Sequence, residues 1–395
     1  MTAPDTASVD TVIIGGGVAA LWTANVLKAS GQSVAILTNS PLGEGQSLAA
    51  QGVIHGGMKY AVAGKLTDSS EALADMPTRW LAALRGEGPV DLTEAELLAD
   101  HQILWSLPNV VSRVAGFFGS KAVRGRSGRI AKEDYPAVFD TEAYRGSLFR
   151  IEEPVVDPVS AIRELARGVS EETWLVEWGE NVELETADNR ISRIRIRNGD
   201  DSCSLTATNY LLAAGAGNGA ILDQLSIDSP RMQRRPLHQL IIRRAGLPPF
   251  FSVCVGATPK PPVVVTTHID SQGRPLWYVG GDIAEQAGVE RSEAEQIEFG
   301  KKRFAEYLPW IDLSNADWFT HRVDRAEPLT GTGDRPAGAF CERAGNVLIA
   351  WPTKLALAPE LADQVLRETS SSNGNAKIRL PLPRPTVGNA PWDLD

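Results

Sequence analysis

The chain has 395 residues, 43% of them hydrophobic and 22% charged, and carries a formal net charge of −10. That composition is ordinary for a soluble globular protein with room for two lobes, and its acidity opposes non-specific binding to nucleic acid or an anionic membrane face. Three widely spaced cysteines, a short polar N-terminus and no apolar run long enough to cross a bilayer predict a reduced, cytoplasmic protein with no disulfide, signal peptide or metal-ligand spacing.

Residues 1–10 read as disordered. Thr11 to Ile14 then form an apolar run typical of a buried parallel strand, Gly15 and Gly17 a tight turn, and Val18 to Lys28 a helical pattern. A second apolar run, Ser33 to Leu37, completes a βαβ unit sized to hold a dinucleotide diphosphate on a helix N-terminus. In this G-x-G-x-x-A pattern Gly15 permits the turn, Gly17 lets the backbone approach the phosphates, and small Ala20 lets helix and strand pack closely. The second strand ends in Thr38 and Asn39, where an Asp or Glu that binds ribose hydroxyls is usual.

Pro41–Gly57 is a Gly/Ser/Ala-rich loop, too long and too apolar for a simple connector. Ser69–Arg85 reads as a helix kinked or restarted at Pro77, and a further helix is expected from Thr93, with Glu96 in the capping-box position. Val110–Phe139 reads as short strands and loops. Asp157 as N-cap and Pro158 at the first helical position open a helix that ends near Gly168. Glu180–Glu185 and Ile191–Arg197 alternate apolar and polar residues like half-exposed strands, and Asn209–Gly217 repeats the strand-then-glycine pattern.

Leu240–Arg243, Val263–His268 and Trp277–Val279 are β-rich runs. Ser292 and Glu295 form a capping box on an amphipathic helix to Leu308, and Asn346–Trp351 is a last buried strand before a helix from Pro359 to Glu368. The tail beyond Ser370 reads as an extended strap. Nucleotide-type segments at both ends of the chain, with β-rich material between them, predict a discontinuous dinucleotide domain carrying an inserted domain.

These motifs, in order, resemble the FAD-dependent D-amino acid oxidase superfamily, which includes glycine oxidase, sarcosine oxidase and FAD-dependent glycerol-3-phosphate dehydrogenase. The resemblance rests on Gly15-x-Gly17-x-x-Ala20, the Gly45–Gly57 loop with Met58, Lys59 and Tyr60 after it, Val155–Pro158, Val182, Ala213–Ala216, and Gly280–Asp282. Ile54-His-Gly-Gly57 is most similar to the glycerol-phosphate dehydrogenase branch, whose element ends in Arg-Tyr, and Leu348–Ala356 aligns without gaps on that branch's Gly-Gly-Lys-Leu-Thr stretch.

The resemblance implies an α/β fold, a Rossmann-like FAD-binding domain of the glutathione-reductase type with an inserted β-rich α+β substrate domain. It divides the chain into FAD-binding parts at 1–74, 151–225 and 341–370, substrate-domain parts at 75–150 and 226–340, and a tail at 371–395. It places Gly15, Gly17, Val18, Ala19 and Ala20 at the FAD pyrophosphate, Thr38 and Asn39 at the ribose, and Val182 by the adenine. Gln46, Ser47, Gln51, Gly52, Val53 and Ile54 wrap the diphosphate and isoalloxazine; Ala214 and Gly215 follow the late strand, and Pro352, Thr353, Lys354 and Leu355 lie at the pyrimidine end of the flavin. There a cation or a helix N-terminus stabilises negative charge on reduced flavin. Ser47–Gly52 is also similar to succinate dehydrogenase and fumarate reductase flavoproteins, but Gln46 stands about where their flavin-linking histidine does, so the implied FAD is non-covalent.

Among candidate catalytic groups, His55 is either a polar group at flavin or substrate or a histidine bonded to loop backbone, and Lys59 and Tyr60 either contact an anionic substrate group or are a solvated lysine and a packed tyrosine. Many relatives have an arginine directly before the proline in the segment that is Arg322–Leu329 here; Glu327 takes its place, with Arg325 on the same strand face. Either Arg325 anchors the substrate, or buried Glu327 binds an amine or acts as a base, or the two form a surface ion pair. His238 or Gln239 is expected to face the substrate, and Trp277, Tyr278 and Trp351 either line the pocket or belong to the core.

The resemblance implies an oxidase or dehydrogenase acting on a CH–NH or CH–OH bond of a small molecule by hydride transfer to flavin N5, with oxygen or an electron carrier as acceptor. A flavin monooxygenase is the enzymatic alternative, and a non-catalytic FAD-binding subunit supporting a partner enzyme is the other class. A partner subunit or homo-oligomer is compatible with either.

Overall fold

The computed structural model describes residues 6–57, 73–106, 127–199, 201–256, 258, 260–329, 336–371 and 378–393. Lys59, Tyr60, most of Val110–Phe139 and the start of the Ser69 helix lie outside these residues.

Six strands carry the architecture: β1 (Thr6–Ile14), β2 (Val34–Thr38), β3 (Asp201–Leu212), β4 (Met232–Arg243), β5 (Asp317–Pro328) and β6 (Val347–Trp351). Among the described residues the first sheet has eight strands. β1 runs parallel between β2 and β3, β6 extends it beyond β3, and Thr173–Leu175 extends it beyond β2. The hairpin Val182–Ala187/Arg190–Asn198 pairs antiparallel with β3. β1 starts earlier than the Thr11 read from the sequence, because Thr6–Val9 alternate exposed and buried and pair in register with Ser204–Ala207.

Helices α1 (Val18–Ala29), α2 (Met76–Leu84), α3 (Pro158–Gly168), α4 (Glu293–Tyr307) and α5 (Ala358–Glu368) follow in chain order. α1, α3 and α5 share one core with Ile13, Ile36 and Leu348, and Trp22 of α1 meets Trp80 of α2 with ring centroids 4.6 Å apart. α1 has no side-chain N-cap. It is held instead by apolar burial, at about 1.5–3 kcal/mol for each fully buried Val or Leu. α3 begins as expected, with Asp157 accepting the Ser160 N–H at 2.7 Å and Pro158 in the first turn. Pro77 likewise sits in the first turn of α2.

The helix expected from Thr93 does not form. Asp91 Oδ1 accepts both the Thr93 N–H (3.0 Å) and its hydroxyl (2.8 Å), a local turn that takes the cap away. The Glu96 N–H donates instead to Ser160 Oγ, and Leu97–Ala99 pairs with Val155–Val156.

The second sheet is ordered β5, β4, Pro275–Gly280, Val264–Ile269, Ser252–Val255, Gln102–Ser106, Phe149–Ile151, Ser127–Arg129. α4, opened by the Ser292/Glu295 capping box, contributes Phe304 to a core with Leu240, Phe250 and Trp277 on one face. The tail crosses from the first sheet to the other face. Leu175 N–H donates to Pro383 O (2.8 Å), Leu42 N–H to Thr386 O (2.7 Å), and Ala390 and Trp392 bury against Ile241, Leu276 and Tyr278. Among the described residues no helix is long and apolar enough to cross a membrane.

Candidate active site

The C-terminal ends of β1, β3 and β6 point at a cleft of about 1050 Å³ between the two sheets. It continues into a hollow of about 770 Å³ bounded by Trp178 and Val182, and both share Gly15, Asn39 and Ala214 as walls. This is the end of an α/β sheet where ligands bind.

The cleft fits a dinucleotide diphosphate. Gly15 has φ +126°, and a Cβ there would lie 2.4 Å from Ala213 O, so only glycine makes this turn. Gly17 faces Ser47, whose Oγ accepts the Val18 N–H at 3.0 Å; Ala19 also lines the cleft, so the start of α1 opens onto it. Ala20 is fully buried against the sheet, in the packing role expected of it. Thr38 lines the cleft, but its hydroxyl donates to Ser40 O (3.1 Å) and packs on Gly16. Asn39, exposed at the junction of the two hollows, offers the polar side chain there.

The long loop forms the floor. Gln46 Oε1 accepts the Ala326 N–H of β5 (3.0 Å), and Gln51 Nε2 donates to Val264 O and Tyr278 O (2.9 and 3.0 Å). Gly52 has φ +75° with a would-be Cβ 2.0 Å from Val156 O. Val53 lines the cleft, while Ile54 is buried beneath it with its N–H on Pro154 O. Across from them Gly215, Pro352, Thr353, Lys354 and Leu355 complete the wall. Thr353 takes φ +60°, a left-handed conformation strained for threonine, and its hydroxyl is held on Gly338 O at 3.0 Å.

His55 lines the cleft with Nδ1 3.0 Å from Glu153 Oε2, and Glu153 is fully buried. An ionised carboxylate only accepts, so in this pairing Nδ1 carries a proton. The two candidates on β4 lie on opposite faces of the strand. Arg235, Leu237 and Gln239 share the cleft-facing side, whereas His238 points away, its Nδ1 2.9 Å from Gly288 O and its imidazole pushed below the ordinary value by burial. Gln239 Oε1 accepts from Tyr278 Oη (2.7 Å), which turns the amide NH₂ toward Gly280. Trp277 and Tyr278 are core residues, and Trp351 is buried with its indole N–H on Gly215 O.

Arg325 and Glu327 separate in the structure and do not pair with each other. Arg325 lines the cleft and reaches Glu285 Oε1 with both terminal nitrogens at 3.3 Å. Glu327, 1% exposed, sits behind the wall, where Arg235 Nη1 donates to it at 2.9 Å. Sequence reasoning missed Arg235, Lys260, Glu285 and Glu153. The four-residue spacing from Arg235 to Gln239, two periods of one strand, was the available signal for the first.

The crystal structure of the FAD dependent oxidoreductase PA4991 from Pseudomonas aeruginosa superposes with a TM-score of 0.83 at 38% identity, covering 98% of each chain. In sequence, the probable FAD-dependent oxidoreductase PA4991 of that organism is 41% identical over 394 residues, 99% of each chain. The fold is also that of glycine oxidase from Geobacillus kaustophilus (TM-score 0.65, 16% identity, 92% and 96% covered) and of L-α-glycerophosphate oxidase from Mycoplasma pneumoniae with FAD bound (0.64, 16%, 95% and 99%). Residues 10–338 match the family described as FAD dependent oxidoreductase, and the chain belongs to this DAO family as an FAD-dependent oxidoreductase.

Proposed function

We propose that the protein oxidises a CH–NH or CH–OH bond of a small molecule carrying an anionic group, with FAD held non-covalently. FAD, when bound, supplies the two-electron acceptor for the substrate hydride. The observation that carries this reading is the continuity of the cleft from the α1 N-terminus, through the His55 loop, to the polar wall of Arg235, Gln239 and Arg325. The backbone turn at Gly15–Gly17 and the Ser47 hydroxyl hold the diphosphate, with Lys354 and the Thr353 turn at the flavin's pyrimidine end. Gln46 is spent on the Ala326 N–H and has no imidazole for a covalent link.

In the substrate half, Arg325 and Arg235 orient the anionic group, and the Gln239 amide donates to a substrate oxygen. His55 Nε2 takes the O–H or N–H proton as the C–H bond breaks, while Glu153 holds the Nδ1 proton. Gln51 and Gly280 press the loop against the second sheet and exclude water. Anaerobic mixing of the yellow holoenzyme with amino acids, secondary amines and 2-hydroxy acids tests this. Bleaching of the flavin by one class is expected; persistent oxidised flavin across all three sinks the reading.

A further inference from the structure

Three cations from three separate segments converge in the substrate half of the cleft. Arg235 comes from β4, Arg325 from the facing position of β5, and Lys260 from the loop before Val264–Ile269. Between them stands one carboxylate, Glu285, which precedes the one-turn helix Gln286–Glu290. Lys260 Nζ lies 2.7 Å from Glu285 Oε2, and Arg325 Nη1 and Nη2 both lie 3.3 Å from Oε1. Burial would push the Glu285 carboxyl up, but the Lys260 bond and the charges of Arg325 and Arg235 outweigh it and hold it below its usual range.

The pairing with Arg325 is poor in shape. A guanidinium and a carboxylate fit best as two parallel bonds to two oxygens at about 2.7–2.9 Å. Here both nitrogens share one oxygen at longer range. Arg235 gives one bond to Glu327 and also lines the cleft. Asp282 and Asp324, the other carboxylates on this rim, are exposed, and Asp324 is paired with Arg234 at 3.2 Å. A carboxylate already neutralised by an ammonium and a guanidinium is a weak receptor for a substrate amine. It is a good stand-in for a second anion.

We propose that Arg235, Lys260 and Arg325 form an oxyanion subsite and that Glu285 is its resident counter-ion, displaced by the carboxylate or phosphate of the substrate. This rests on the reading of the cleft as the substrate site of an FAD-dependent oxidoreductase. A resident carboxylate sets an affinity threshold: neutral molecules gain nothing at the subsite, and an anion must compete for its cations.

The test titrates the FAD-loaded wild-type and Glu285→Gln proteins with sodium benzoate and with inorganic phosphate, read by isothermal calorimetry and by the flavin visible spectrum. Glu285→Gln is expected to bind at least one of the two about tenfold more tightly, the effect of removing a like charge at contact range from a half-buried site. The anion that gains identifies the substrate group as carboxylate or phosphate. Adding Arg325→Gln to Glu285→Gln is expected to reverse the gain. Equal or weaker binding of both anions by Glu285→Gln overturns the proposal. Should that variant not fold, Glu285→Asp, whose shorter carboxylate retreats from Arg325, is expected to tighten binding, and unchanged affinity there overturns it equally. FAD content and flavin reduction are measured separately, so failure of the redox reading leaves the calorimetric result interpretable.

Discussion

His55 Nδ1 lies 3.0 Å from Glu153 Oε2, and the other oxygen of that buried carboxylate accepts the Gly56 N–H at 2.9 Å. One acid thus fixes both the tautomer of a cleft-facing imidazole and the backbone that carries it. Glu153→Gln offers a single acceptor where the carboxylate offers two. Flavin reduction is expected to slow by about 10²-fold, the lower end of a general base's contribution, with FAD content unchanged. Glu153→Asp is expected to recover part of the rate. Stopped-flow reduction with the best substrate is the measurement, and an unaltered rate in Glu153→Gln removes His55 from the chemistry.

Glu327 holds Arg235 from behind the wall and accepts weakly from Gln233 Nε2 at 3.5 Å. Glu327→Ala leaves that guanidinium without its carboxylate and is expected to cost about 1.5–3 kcal/mol, with a lower Tm. Glu327→Arg, which restores the residue many relatives carry, is expected to be worse, because it buries a second guanidinium beside Arg235. A Glu327→Arg protein as stable as wild type is incompatible with this account of the wall.

His268 is fully enclosed, its Nε2 3.0 Å from Thr266 Oγ1, and burial pushes its pKa down to about 3 from 6.5. The unfolded chain therefore binds a proton that the native state refuses between those values. Stability is full above about 6.5 and falls by about 1.4 kcal/mol for each further unit of acid until about 3. His268→Gln is expected to flatten Tm against pH between 7 and 5 (a window of about two units). Melts of both proteins across that range check it, and parallel curves contradict it.

Trp392 stacks on His268 at 4.2 Å between ring centroids and meets Tyr278 edge-on at 5.2 Å. Trp392→Ala is expected to cost about 3–5 kcal/mol through the void left against the second sheet. Because Tyr278 Oη sets the Gln239 amide, KM is expected to rise as well. A variant that loses stability yet keeps KM would separate the strap from the site.

Removing the Ser47 hydroxyl strips the Val18 N–H, at the cleft end of α1, of its side-chain acceptor. Ser47→Ala is expected to weaken FAD retention by about tenfold, a loss near 1.4 kcal/mol. Dialysis against apoprotein-forming conditions followed by fluorescence titration with FAD measures it, and unchanged affinity excludes Ser47 from the diphosphate site.

What could be read from the sequence was what neighbouring residues decide. The Gly15–Ala20 turn, the Asp157–Pro158 start and the Ser292/Glu295 box each act within one turn of helix, so their spacing carries their structure. Thr93 and Glu96 have the same spacing as a capping box, yet Asp91, two residues upstream, captures the threonine first. Nothing local separates His238 from Gln239, because the parity of the strand is set by its pairing with β5. The Arg235–Lys260–Glu285–Arg325 cluster was out of reach for another reason. Its members come from four segments with no common motif, and only the two sheets bring them together. Glu153 looks like one of two ordinary acids before a proline, and nothing local says that it is buried.

β4 and β5 pair without interruption from Met232↔Pro328 to Arg243↔Asp317. Met232 and Ala326 belong to the core of the first sheet, Leu240 and Ile242 to that of the second. A single ladder therefore spans both lobes, and a slip of one residue would turn every side chain to the wrong face. Such a ribbon acts as a splint and resists hinge bending between the lobes. Structures with and without a bound substrate analogue should then superpose to within about 1 Å over the backbone.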